Sequence, residues 1–251
     1  MADPMDHEKD PRSVDELVNV ALTECDEDLA WNAIASLQGR GNEEVLQRAT
    51  SLCRSDCQYE RRVGADILGQ LGVPERTFPR ACGKIVTEML STEQDPDVLQ
   101  SVLVAISHLE CVEAIEPAAR FVNHPDPSVR HAVVLALTGD ERQFAIDCLI
   151  RLTADLDHEV RDWATFALGS QFDVDTPQIR DALAARLDDS DDDTRAEAVM
   201  GLARRKDRRA VSALQKELAS DSVDAMFIEA AELVEAPELS PLLASLRMGP
   251  K

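Results

Sequence analysis

Three segments of the chain align without gaps: DPSVRHAVVLALTG from Asp126, DHEVRDWATFALGS from Asp157 and DDDTRAEAVMGLAR from Asp191. Each places an Asp four residues before an Arg (Asp126/Arg130, Asp157/Arg161, Asp191/Arg195) and a Leu seven residues after it, at Leu137, Leu168 and Leu202. A pattern that returns at a fixed period constrains the fold strongly. Each copy must be one supersecondary unit that buries its apolar face only by stacking on its neighbours. Weaker copies continue the register in both directions, so the anchor positions are 30, 61, 99, 130, 161, 195 and 224. A spacing of about thirty residues holds two helices of roughly three turns each and two turns.

Each copy reads as the first helix of a hairpin. Asp before the run can accept backbone N–H bonds as an N-cap, and Pro96 and Pro127 stand where proline suits a helix start. Gly39, Gly69, Gly139 and Gly169 fall near the expected helix ends. A second amphipathic run follows each copy: 43–53, 78–90, 114–122, 142–153, 177–187, 209–218 and 237–246. An extra helix over 13–24 precedes the first copy and caps that end, as a terminal unit with a polar outer face must. The predicted fold is an all-α superhelix of about seven hairpins, one domain over 13–251, preceded by a disordered acidic tail over 1–12.

Reading the copies as columns predicts burial. Three residues after the anchor stand Ala33, Gly64, Val102, Val133, Ala164, Ala198 and Phe227, mostly small and apolar, as a buried helix–helix contact requires. Seven after it, Leu or Ile occurs in every copy but the last. One after it stand Trp31, Arg62, Gln100, His131, Asp162, Ala196 and Ala225, a mostly polar column expected to face water.

The stretches YERRVGADILGQLG from Tyr59, VRDWATFALG from Val160 and RAEAVMGLARRKDRRAVSALQKEL from Arg195 make the pattern more specific. The D-x-x-V-R-x-x-A/V-x-x-A-L motif resembles the HEAT-like repeats of phycobilisome lyases. These stretches are similar to the YibA-type bacterial HEAT-repeat proteins, over about 26–246. The resemblance implies an α-solenoid and carries over no catalytic residue or cofactor. Members of that family can sit beside polymorphic-toxin genes, so it also implies an immunity role. The fold hosts many functions, and the site must decide between them.

Composition narrows the classes. The formal net charge is −22, a field that repels nucleic acid and anionic membranes and favours a basic protein partner. Aromatics make up only 4% of the chain, so the core is built from Ala, Leu, Val and Ile. The six cysteines are scattered without a C-x-x-C or a zinc spacing, which fits a reduced, cytoplasmic setting. There is no apolar run long enough for a membrane span, and the acidic start does not read as a signal peptide.

The Asp–Arg pairs recur with the repeat, whereas a catalytic set should occur once; they are read as a structural ladder of caps and inter-repeat hydrogen bonds. The acidic run Asp188, Asp189, Asp191, Asp192 and Asp193 offers a meeting point for a basic partner, against a reading as a solvated loop. The cluster Arg204, Arg205, Lys206, Arg208 and Arg209 is better explained by a helix C-terminus than by nucleic acid. His124, His131 and His158 show no ligand spacing and read as surface histidines. Trp31 and Tyr59 stand in polar columns near the starts of neighbouring first helices, and exposed aromatics anchor interfaces. Second helices are expected to line the concave face, which would present Asp147, Arg151, Arg180 and Gln215. The resulting expectation is a non-catalytic protein-binding scaffold, in a sharper form an immunity-type inhibitor of a basic toxin. The alternatives are a bilin lyase or isomerase and, less favoured, a DNA-repair helical-repeat protein.

Overall fold

The computed structural model describes residues 10–109, 111–220 and 222–248. Nearly all of the acidic tail therefore lies outside the described residues. Fifteen α-helices and no strand occur among them. The chain is an all-α HEAT-like solenoid of stacked helical hairpins. Its packing divides into two compact units after Ala136.

The first unit begins with α1 (Val14–Thr23). A capping box starts it: Ser13 N–H donates to Glu16 at 2.7 Å and Glu16 N–H donates to Ser13 Oγ at 3.2 Å. Three hairpins follow: α2 (Glu27–Arg40) with α3 (Glu43–Cys53), α4 (Gln58–Gly69) with α5 (Pro79–Thr92), and α6 (Pro96–Leu109) with α7 (Val112–Ala119). Helix α8 (Pro127–Leu137) closes the unit. Leu17, Val18 and Ala21 of α1 are buried, and α1 packs on α2 and α4.

The second unit holds α9 (Gln143–Leu152), α10 (His158–Phe166), α11 (Pro177–Ala184), α12 (Asp192–Arg204), α13 (Val211–Leu218), α14 (Ala225–Val234) and α15 (Ser240–Met248). Helix α10 runs on through a π-turn over Ala167–Gln171.

The column reasoning describes the core. Ala33, Gly64, Val102, Val133, Ala164 and Ala198 are all buried, as are Leu37, Leu68, Ile106, Leu137, Leu168, Leu202 and Ala231; Phe227 is half-buried. Each fully buried leucine contributes about 1.5–3 kcal/mol. The caps also form as read: Asp26, Asp157, Asp191 and Asp224 each accept backbone N–H bonds at a helix start. The copy that lacks the Asp, at Cys57, has no side-chain cap bond.

Gly39 and Gly69 fall in the last turns of α2 and α4, and Gly139 follows the end of α8. Gly41, with φ +52°, is the left-handed cap of α2. Gly69 and Gly169 are buried where first helices touch. A Cβ on Gly69 would stand 3.0 Å from Ala105 Cα, and one on Gly201 would stand 2.6 Å from Gly169 Cα. In each unit the first helices (α2, α4, α6; α10, α12, α14) approach one another more closely than the second helices do.

Candidate functional site

Two of the anchor arginines reach across to an acid of the following repeat. Arg161 of α10 forks onto Asp189 (Nη2–Oδ1 2.9 Å, Nε–Oδ2 3.1 Å), and Arg61 of α4 forks onto Glu93 in the same way (2.7 and 3.1 Å). The acceptor lies six residues before the next anchor. Residues at that position also bind the amide two residues on: Glu24, Ser55, Glu93, His124, Asp155 and Asp189 accept from the N–H groups of Asp26, Cys57, Asp95, Asp126, Asp157 and Asp191. The signal was therefore present in the sequence as a polar column. The anchors Arg61, Arg130, Arg161 and Arg195 donate to the carbonyls of the preceding turn, at 2.6–3.2 Å. The Arg61 and Arg161 guanidiniums, aided by backbone N–H bonds, hold the Glu93 and Asp189 carboxyls below their usual range although burial opposes this.

The acidic run divides accordingly. Asp189 also meets Arg186 at 3.0 Å, Asp191 caps α12, and Asp192 pairs with Arg195; Asp188 and Asp193 are exposed. The basic cluster is largely neutralised. Lys206 meets Glu235 at 2.7 Å, Arg208 pairs with Glu238, and Arg209 meets Asp181 and Asp207, each at 2.7 Å. Arg205 is tucked inward and donates to the carbonyls of Leu168, Gly169, Phe172, Val174 and Gly201. Among the second-helix candidates, Asp147, Arg151 and Gln215 are exposed, while Arg180 is tied to Asp175 at 2.6 Å and Asp207 at 3.3 Å. His158 is exposed beside Asp191. His124 is half-buried and uses its ring nitrogen on the Asp126 amide, and His131 is half-buried too.

The structure brings Trp31 and Tyr59 together. Both line one open cavity of about 720 Å³ formed by α2, α4 and α6 with the end of α1. Trp31 is 52% exposed. Tyr59 is half-buried: its hydroxyl donates to Ala21 O at 3.2 Å, and the Arg62 guanidinium stacks 4.8 Å from its ring centroid. The Nε of Arg62 is buried and has no acceptor among the described residues. Burial raises the Asp66 carboxyl above its usual range, against a Ser101 hydrogen bond and the Arg62 charge. The lining carries Glu24, Glu27, Asp28, Asp66 and Asp97 against Arg62 as its one cation. The column expected to face water is thus half-buried at Arg62, Gln100, His131, Asp162 and Ala196, because neighbouring first helices crowd it.

The second unit also exposes a tryptophan. Trp163 is 42% exposed and meets Phe166 edge-on at 5.8 Å. Beside it, burial and then the charges of Asp193 and Asp191 push the Asp162 carboxyl up to about 6. Burial and then Asp162 raise Glu197.

The HEAT-repeat family pattern matches residues 84–169 and 146–235. The chain belongs to the HEAT-repeat family. Within it, the chain is related to bacterial YibA: it is 29% identical to protein YibA of Escherichia coli strain K12 over 217 residues, covering 84% of this chain and 76% of that protein. The X-ray structure of E. coli YibA superposes with a TM-score of 0.80 at 26% identity, over 96% of this chain and 88% of that one. Two further structures share the fold. The archaeal HEAT-like repeats protein of Thermococcus onnurineus NA1 has a TM-score of 0.54 at 15% identity, over 94% and 99% of the two chains. A designed armadillo repeat protein in complex with the peptide (KR)4 has a TM-score of 0.50 at 16% identity, over 92% and 100%. No described helix is long and apolar enough to cross a membrane.

Proposed function

We propose that this chain is a non-catalytic scaffold that holds a basic protein partner on the first-helix face of its repeats. The observation that carries this reading is the cavity of the first unit, where the solvent-facing Trp31 shares one lining with Asp28, Asp66 and Asp97; the second unit exposes Trp163 on the same helix as Asp162. Burial raises the Asp66, Asp162 and Glu197 carboxyls, and neighbouring carboxylates add to this for the last two, so these groups gain from a cation that approaches them. An indole face adds attraction for the same cation. The recurring Asp–Arg positions are used up in caps and inter-repeat forks, which supports a role without chemistry. A protein of the same fold holds (KR)4 in the designed armadillo complex. The net charge of −22 would speed encounter with a basic partner. An immunity-type inhibitor that blocks a basic toxin is the form of this role that fits the YibA resemblance.

The test is affinity purification of the tagged chain from its native cells at low and raised salt. Co-purified proteins should have high isoelectric points and should elute as salt rises. A recovered set no more basic than the total lysate would sink the reading. Blocking of a basic toxin is tested by co-expression, where loss of protection on Trp31→Ala with Trp163→Ala is expected.

A further inference from the structure

Resting on the reading above, we propose that the groove of α2, α4 and α6 takes an extended, arginine-bearing segment of the partner. The occupant's arginine would lie on the face of Trp31 among the lining carboxylates, and its main chain would run past Arg62 and Gln100. Three successive first helices present Trp31, Arg62 and Gln100 at the same position of the repeat, and all three line the one cavity. The groove therefore offers a ladder of hydrogen-bonding groups at the repeat spacing. Packed helices stand roughly 8–10 Å apart and an extended chain advances about 3.3 Å per residue. Each step matches about three residues, so three helices span about six.

The chemistry selects the occupant. The lining has five carboxylates (Glu24, Glu27, Asp28, Asp66, Asp97) against the single guanidinium of Arg62. That guanidinium is already stacked on Tyr59 and sits beside Asp66, so the groove stays anionic. Trp31 is held at the groove on α2 with half its surface open. A planar guanidinium can stack on that indole while its N–H groups reach carboxylates, which a lysine ammonium cannot do as well.

The test is fluorescence anisotropy of the intact chain with three fluorescein-labelled hexapeptides of alternating serine with arginine, lysine or citrulline. Arginine is expected to bind severalfold more tightly than lysine, and citrulline not to bind. Trp31→Ala, and separately Asp28→Asn with Asp97→Asn, should each weaken the arginine peptide on the order of tenfold. Both sets lie on exposed positions, and circular dichroism confirms that the variants fold. Leu156→Ala, at an exposed side chain away from the groove, should leave this peptide's affinity within twofold. Arginine-peptide binding unchanged by both groove variants overturns the groove while the scaffold reading stands. Binding equal for arginine and citrulline overturns the arginine recognition. Failure of the wild-type chain to bind either cationic peptide at low salt overturns the preference for a basic partner itself.

Discussion

The guanidinium of Arg161 and the carboxylate of Asp189, twenty-eight residues apart, form a two-bond fork in which both side chains are almost wholly out of water (12% and 4% exposed). The fork ties helix α10 to the loop that opens the next repeat. Asp189 meanwhile holds the amide of Asp191, the N-cap of α12. One carboxylate therefore locks both the spacing between repeats and the start of a helix. Arg161→Ala leaves Asp189 buried without this partner and is expected to cost about 3 kcal/mol, read as a lower urea midpoint with an unchanged slope. Arg161→Lys should recover only part of that, since an ammonium cannot fork.

The same pair sets an acid limit. The folded-state pKa of Asp189 lies below its unfolded value of 3.8, so its contribution is fully present above pH 4 and disappears as pH falls through the lower, folded value. Arg161→Ala should flatten the loss of stability below pH 4, measured by urea titrations at stepped pH. An acid limb as steep as the wild type's would count against this account.

Asp162 works in the opposite sense. Its carboxyl is raised from 3.8 to about 6, so the folded chain holds a proton that the unfolded chain has released. Stability should fall as pH rises from 4 to 6 and stay lowered above that. Asp162→Asn should therefore stabilise the protein at pH 7, by about 1–2 kcal/mol after screening of this half-buried group, and should make little difference below pH 4. Thermal melts of the two proteins at both pH values check the sign.

Close packing between first helices predicts intolerance at Gly201. A methyl there would stand 2.6 Å from the backbone of Gly169 and 3.0 Å from Leu183. Backbone cannot swing aside as a side chain can, so Gly201→Ala should cost about 1–3 kcal/mol despite alanine's better helix propensity. A melting temperature equal to or above the wild type's would show that α10 and α12 are less tightly apposed.

Arg205 closes the turn after the π-turn. Its side chain is 6% exposed, and it collects five backbone carbonyls. Arg205→Ala should free these carbonyls and cost about 2–4 kcal/mol. Hydrogen exchange should show faster amides over 167–174 as well as in α12; protection unchanged in that segment would contradict the role.

Local order was legible from the sequence because its causes are local. An Asp that caps the next turn, a small residue three after the anchor and a Leu seven after it act within a few helical turns, so column alignment gave the helices, the caps and the core. It also identified Trp31 and Tyr59 as breaks in a polar pattern. Only the tertiary structure decided the rest. Which acid Arg161 meets, that Gly169 faces Gly201, and that Trp31 shares a cavity with Tyr59 and Arg62 all depend on the rise and tilt between repeats. Those quantities come from side chains interlocking across about thirty residues of sequence. No window the length of one helix contains them.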